Sequence, residues 1–266
     1  RDVPFNQQQQ ILAAPADLVA DVYGLQNLCY GVSTACTSGA KALISAARLL
    51  RAGLCDAVVC GGVDTLSPLT INGFNSLGVL SDGMANPFSA QRNGINIGEA
   101  AAAFVMTREA DFGESLPLLG YGAGSDAYHM SSPRPDGQGA AQAFQAALTH
   151  AALPPEAIGW INLHGTGTQH NDSMESLAVA AIFGCQTPCT STKPLTGHTL
   201  GAAGAIEAAF LWGMVSRRCN PQGRLPAQIW HGERDAALPE IALTDADSVW
   251  QSGQRIGASA SFAFGC

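Results

Sequence analysis

Charge is what this 266-residue chain has least of. Lys, Arg, Asp and Glu make up 13% of it, against about 25% in a typical soluble domain. The apolar set AVILMFWYC accounts for 47%, so much of the chain must be buried within itself or against another subunit. Basic residues are the scarcer sign. Lys and Arg total 13 against 21 Asp and Glu, a net charge of −8, which argues against a nucleic-acid or anionic-membrane surface. Neither a signal-peptide pattern nor an apolar run near about 18 residues is present, and the expected setting is reducing and cytoplasmic. Cysteines are not few, but they lack order. The eight at 29, 36, 55, 60, 185, 189, 219 and 266 do not form a disulfide framework in a chain this long. Cys55-x4-Cys60 runs from loop into strand, and Cys185-x3-Cys189 has no second pair with metal-ligand spacing, so no structural metal is expected.

What is present centres on Tyr30-Gly-Val-Ser-Thr-Ala-Cys-Thr-Ser-Gly-Ala-Lys41. The stretch starts with short apolar alternation, within a strand expected at Leu25–Thr34, and the chain turns at Ser33–Thr34. Ala40, Leu43, Ile44, Ala47 and Leu50 then follow helical spacing, with Gly53 as the stop. Cys36 falls at a strand-to-helix junction. Unpaired backbone N–H groups and the positive end of the helix dipole there favour a thiolate. The small neighbours Ala35, Ser38, Gly39 and Ala40 leave room for a reactant.

Along the rest of the chain, Asp17 to Val22 finishes a short helix ending near Gly24, and Asp56–Gly62 reads as a strand. Residues 63–97 read as an irregular wall punctuated by Leu66-Ser-Pro, Asn72-Gly-Phe and Asn86-Pro-Phe. Further strands are expected at Ala100–Thr107, Leu116–Ala123, Trp160–Leu163, Thr190–Thr192 and Ile256–Phe262. A loop is expected at Asp126–Gly139, and helices at Ala140–Ala151, Asp172–Phe183 and Leu200–Val215. This alternation predicts an α/β architecture with mainly parallel sheets covered on both faces. His164 and His198 each follow a short strand, where α/β proteins build their sites. The run His198-Thr-Leu-Gly-Ala-Ala-Gly-Ala-Ile-Glu207 weakly repeats the turn and small-residue helix around Cys36. Two such halves face to face bring both junctions to one centre.

Five motifs occur in order: Ser-Thr-Ala-Cys-Thr-Ser-Gly (33–39), His-Gly-Thr-Gly-Thr (164–168), Lys-Pro-Leu-Thr-Gly-His (193–198), Gly-Ala-Ala-Gly-Ala-Ile-Glu (201–207) and Ser-Phe-Ala-Phe-Gly (261–265). Together they resemble the elongating β-ketoacyl-acyl carrier protein synthases, the ketosynthases of fatty-acid and polyketide assembly, from about Leu18 onward. The resemblance implies a thiolase-like fold of two βαβαβαββ halves in a five-layered α-β-α-β-α body. Residues 1–112 would be the remainder of the first half and 113–266 the second. It implies decarboxylative Claisen condensation with malonyl-acyl carrier protein, the acyl chain held on Cys36 as a thioester. His164 and His198 would promote decarboxylation and stabilise the enolate. Lys193 would set the electrostatics around His164, with Glu207 as its partner. The N–H groups of Cys36 and Phe262 would form the oxyanion hole, and Thr166 and Thr168 would bind the pantetheine arm. Phe262, Phe264 and Ile95 would form the acyl gate and pocket. No cofactor of the protein's own is implied, the phosphopantetheine arm coming with the acyl carrier protein. The other implied partner is a second ketosynthase-like subunit, identical or related, paired through Leu25–Thr34.

The chain departs from the family pattern at two places. Its ending reads Ala260-Ser-Phe-Ala-Phe-Gly-Cys266, with Ala263 where the family has glycine. Asn93-Gly-Ile95 stands for the family's Asp-Gly-Phe, which bears on one wall of the pocket. Counting elements against the family's topology, opening and closing strands are missing. The expectation is a piece of a longer chain whose absent segments cover exposed apolar edges. The alternative reading is a catalytically silent structural or chain-length subunit that keeps the fold. The presence of Cys36, His164 and His198 together speaks against it.

Overall fold

The structure is a computed structural model that describes residues 4, 6–109, 113, 115–231, 233–251 and 253–263. Helix α1 (Ala14–Tyr23) ends on Gly24 at φ +64°, and α2 (Ser38–Arg51) is followed by Gly53 at φ +68°, as the spacing predicts. Strand β1 (Ala57–Asp64) pairs antiparallel with β2 (Ala100–Thr107), Ala57 opposite Thr107 and Asp64 opposite Ala100. Between them lies α3 (Pro68–Ser76), a helix that the reading of 63–97 as irregular misses. Leu66-Ser-Pro is not a loop turn. Ser67 accepts the Thr70 N–H at 3.2 Å as N-cap, and Pro68 occupies the first helical position, where its missing N–H costs nothing.

The second half supplies α4 (Gln138–Ala151), β3 (Trp160–Asn162), α5 (Gln169–Phe183), β4 (Pro188–Thr190), the short α6 (Lys193–Thr196), α7 (Ala203–Val215), β5 (Ala242–Leu243) and β6 (Gly257–Ser259). Its four strands run in the order β5-β4-β3-β6, all parallel. Helices α4 and α5 pack on one side, sharing a core of Phe144, Leu148, Ile161, Leu163, Met174, Val179 and Phe183. Each such side chain contributes about 1.5–3 kcal/mol on burial. A second cluster joins Trp160, Leu225 and Trp250 beneath the C-terminal turns of α7. Helices α2 and α7 lie between this sheet and the β1–β2 ribbon, α2 against β1 and α7 against β1, β2 and β6. The layers are thus ribbon, helix pair, parallel sheet, helix pair.

Several expectations are corrected. Neither Leu25–Thr34 nor Leu116–Ala123 is a strand among the described residues. Both have extended-looking sequences, but a strand needs a ladder partner, and neither has one among the described residues of this chain. The second segment instead lays Gly120 and Gly122 against the backbone of α4. The β1–β2 sheet is antiparallel, not parallel, and its outer face is not covered: Val59, Val63 and Val105 are exposed. Strand β4 lies two residues earlier than expected, and β6 is limited to three residues.

Candidate active site

The turn ahead of α2 is built from hydroxyls. Ser38 Oγ accepts the Thr34 N–H at 2.9 Å and donates to the Ala35 carbonyl at 2.6 Å, while Thr37 Oγ1 donates to the Thr34 carbonyl at 2.7 Å. Ala35 is forced to φ +50°, a left-handed conformation that costs a residue with a Cβ about 1–2 kcal/mol. The strain delivers Cys36 just ahead of the helix, 7% exposed. Ser261 Oγ donates to the Cys36 carbonyl at 3.0 Å, tying the turn to the 261–263 segment.

The second junction meets the first because α2 and α7 cross at glycines. A Cβ on Gly39 would stand 2.6 Å from the Ala205 nitrogen, and one on Gly204 would stand 2.5 Å from that of Ala40. Real Cβ atoms do not approach so closely, so only glycine lets the two first turns touch. The segments ahead of the two helices are thereby drawn to one point, with His198 Nε2 lying 3.1 Å from Cys36 Sγ. The backbone of His198 is held by the 96–98 segment. Its N–H donates to the Asn96 carbonyl at 2.6 Å, and its carbonyl accepts from Gly98 at 3.1 Å.

His164 follows β3. Its ring stands at 86° to that of His198 with centroids 5.1 Å apart, and at 82° to Phe262 at 5.8 Å. Lys193 Nζ donates to the His164 carbonyl and to Glu207 Oε1, each at 2.5 Å, and lies 3.4 Å from His164 Nδ1. An ammonium has only donors, so Nδ1 must offer its lone pair and the ring hydrogen sits on Nε2. His164, Lys193, His198 and Glu207 are all at least 96% buried. Burial, and then the Lys193 charge, hold both imidazoles well below their ordinary pKa, so both are neutral. Burial raises the Glu207 carboxyl, with Lys193 opposing.

Two acidic residues that the motifs did not flag carry the His164 loop. Glu175 on α5 accepts the N–H groups of His164 and Gly165, both at 2.7 Å. Burial pushes its pKa up to about 7. Asp172, one turn earlier, accepts from Phe88 at 2.9 Å and Gly167 at 3.2 Å, with buried Arg92 3.9 Å away. The available signal was two acids three apart on a helix in a chain with little charge to spare.

The remaining predicted residues fall as follows. Thr166 and Thr168 place their Oγ1 atoms 3.0 Å apart, and Thr168 caps α5 through the Asn171 N–H. Phe262 is half-buried between His164 and Phe144, whose ring centroid is 6.2 Å away. Ile95 is buried and pairs through its backbone with Val79 and Ser81, directly before the residues that brace His198. Phe264 lies outside the described residues. Among the described residues there is no group of three or more His, Cys, Asp or Glu that could hold a metal, and no helix long and apolar enough to cross a membrane.

A helix pair joining two sheets, with a cysteine just ahead of one helix and two histidines gathered beside it, defines a thiolase-like α/β protein. Residues 3–111 match the family described as Beta-ketoacyl synthase, N-terminal domain, and residues 117–223 match Beta-ketoacyl synthase, C-terminal domain. The chain belongs to the β-ketoacyl synthase family of the thiolase superfamily. It is 37% identical to 3-oxoacyl-[acyl-carrier-protein] synthase 2 of Synechocystis sp., over 80% of this chain and 56% of that protein. A chain of the solved complex of a ketosynthase with its chain length factor, from Xenorhabdus doucetiae, is 45% identical. It superposes with a TM-score of 0.90 over 100% of this chain and 64% of that one. A type II acyl-carrier protein in complex with its ketosynthase bound to the hexaketide gives 28% identity and a TM-score of 0.83, over 95% and 64%. The chain spans about half the length of the curated relatives it matches.

Proposed function

We propose that this protein catalyses decarboxylative Claisen condensation of an acyl thioester with malonyl-acyl carrier protein, in fatty-acid, polyene or polyketide synthesis. The observation that carries the reading is Cys36 Sγ at 3.1 Å from His198 Nε2, with the His164 ring perpendicular at 5.1 Å. Cys36 attacks the acyl thioester, and the carrier thiol leaves with a proton. Malonyl thioester then loses carbon dioxide. The resulting enolate carbon bonds to the acyl carbonyl, and the Cys36 sulfur departs.

Each step places negative charge on a thioester oxygen, and preorganised donors there are worth about 10²–10³ in rate apiece. His164 presents Nε2–H because Lys193 occupies Nδ1. Among the described residues, Nδ1 of His198 is buried without a partner, and a lone pair is more cheaply left there than an N–H. His198 therefore also carries its hydrogen on Nε2, aimed at the sulfur. Two neutral N–H donors serve the enolate oxygen, and the N–H groups of Cys36 and Phe262 serve the acyl carbonyl. Lys193 and Glu207 fix the tautomer of His164.

Thr166 and Thr168 hydrogen-bond the pantetheine amides, and Phe262, Phe264 and Ile95 shape the acyl pocket. Acyl groups arrive on the phosphopantetheine arm of an acyl carrier protein, so no cofactor of the protein's own is required. The two halves, 1–112 and 113–266, contribute the nucleophile and the histidines respectively. A second ketosynthase-like subunit and a cytoplasmic setting complete the proposal.

The test is intact-mass spectrometry after incubation with acyl-carrier protein. An acyl adduct on Cys36 is expected, with none in Cys36→Ala, and that variant loses condensation while remaining folded. An unmodified wild-type protein would favour the silent-subunit reading, and condensation that survives Cys36→Ala would overturn Cys36 as the nucleophile.

A further inference from the structure

At the far end of α2 from Cys36, two arginines and a histidine gather around one tyrosine. Arg48 and Arg51 occupy the last turn of α2. Their guanidinium carbons lie 5.7 Å and 5.3 Å from the centroid of the Tyr121 ring. His150, in the last turn of α4, stacks at a tilt against the same ring with centroids 4.3 Å apart. Among the described residues neither arginine has a carboxylate partner. Asp56, at this end of the helix, is taken up by Arg108. Cations at a helix C-terminus are ordinary, since they offset the dipole. The hydrogen bonding of His150 is not ordinary.

The Tyr121 N–H donates to His150 Nδ1 at 3.1 Å, and Arg51 Nη1 lies against His150 Nε2. A neutral imidazole has one lone pair, and an imidazolium has none. Two donors cannot both be accepted. Flipping the ring would set carbon against both of them. The Tyr121 N–H is fixed by the backbone, so Nδ1 must accept it and Nε2 must carry hydrogen. Nε2–H and the Arg51 guanidinium are then donor against donor, an arrangement relieved by rotation of Arg51 or by an acceptor shared between them. Arg48, Arg51 and His150 are exposed, so the Arg51 side chain can swing out to admit one.

We infer that Arg48, Arg51 and His150 form a binding site for a phosphoryl oxyanion, flanked by Tyr121. Two guanidinium charges without carboxylate partners match a dianionic phosphoryl group better than a monovalent ion. The planar forks of arginine suit its oxygens, and Nε2–H supplies a third direction of hydrogen bonding. No residue of the Cys36–His164–His198 centre takes part, so the site stands whether or not the proposed condensation does.

The test is isothermal titration calorimetry of the protein at matched ionic strength, with inorganic phosphate, phenyl phosphate or chloride as titrant. Phosphate is expected to bind at least about tenfold more tightly than chloride. The affinity should fall about tenfold with Arg51→Gln and further with Arg48→Gln/Arg51→Gln. His150→Gln, which can accept from Tyr121 and still donate, is expected to keep most of the affinity. Phenyl phosphate binding as well as inorganic phosphate would identify phosphomonoesters as the source, and exclusion of the ester would identify the free ion. Phosphate binding no tighter than chloride, or unchanged in the folded double variant as judged by circular dichroism, overturns the inference.

Discussion

His164 and His198 face each other across 5.1 Å, yet they are held by different means. His164 is held by ionisable side chains: Glu175 beneath its backbone, and Lys193, itself paired with Glu207, at its carbonyl and ring. The backbone of His198 is held by backbone groups, through the 96–98 segment and the glycine contact of α2 with α7. The difference teaches where each half of the centre is vulnerable. The first should fail when a buried charge is removed, and the second when a methyl group is added.

The largest effect is expected on the His164 side. Lys193→Met leaves the Glu207 carboxyl buried without its cation, which should cost about 3–5 kcal/mol of stability. Lys193→Met/Glu207→Gln should recover much of that without restoring the fixed tautomer of His164. Denaturant unfolding of both variants is the check, and a single-variant loss under about 1 kcal/mol would dissolve the contrast.

Glu175→Gln sharpens the same side through pH. The folded pKa of Glu175 is about 7 against an ordinary 4.5. A carboxyl raised on folding favours the folded state below its unfolded pKa and loses that advantage as pH rises through the folded value. The stability of the wild type relative to Glu175→Gln should therefore fall between pH 4.5 and about 7, by on the order of 2–3 kcal/mol. A pH-independent difference between the two unfolding curves would show that Glu175 stays ionised throughout.

On the other side, Gly98→Ala would put a Cβ 2.0 Å from the Thr196 carbonyl oxygen, beside the bond from Gly98 to the His198 carbonyl. A destabilisation of about 1–3 kcal/mol is expected. Slower thiol modification of Cys36 should accompany it, since His198 no longer faces the sulfur. Unaltered modification rates would mean that the 96–98 segment does not position His198.

The smallest effect is a slope of opposite sign to that of Glu175. His198 is neutral when folded, so below pH 6.5 the unfolded chain binds a proton that the folded chain does not. Stability is lost as pH falls, by up to about 1.4 kcal/mol per pH unit. Wild type should lose stability relative to His198→Gln on acidification below that pH. Parallel stability profiles for the two would contradict a neutral buried ring.

Local chemistry was legible where one signal pointed one way. The helical spacing and Gly53 bound α2, and the small apolar run from Ala100 to Thr107 coincides with β2. It was misleading where one residue type serves two purposes. Ser67-Pro68 reads equally as turn or as helix start, and α3 was lost for that reason. It failed where the partner decides. Leu25–Thr34 and Leu116–Ala123 have strand-like composition without a ladder to join among the described residues. Glu175 and Asp172 were missed because an acid on a helix is usually a solvated one, and only burial beneath the 164–167 loop makes them acceptors for it.

By itself the sequence determined the chemical inventory: a cysteine ahead of a helix, two histidines after short strands, a lysine in a chain short of charge, and glycines at both helix starts. Those are choices of residue type, and they follow from local backbone geometry and reactivity. Only the tertiary structure decided that Cys36 and His198, 162 residues apart, meet at 3.1 Å, and that Lys193 reads the His164 ring. Those distances depend on two backbones approaching closely enough to touch. No side chain encodes that approach on its own, because it requires Gly39 and Gly204 to face each other from separate halves of the chain.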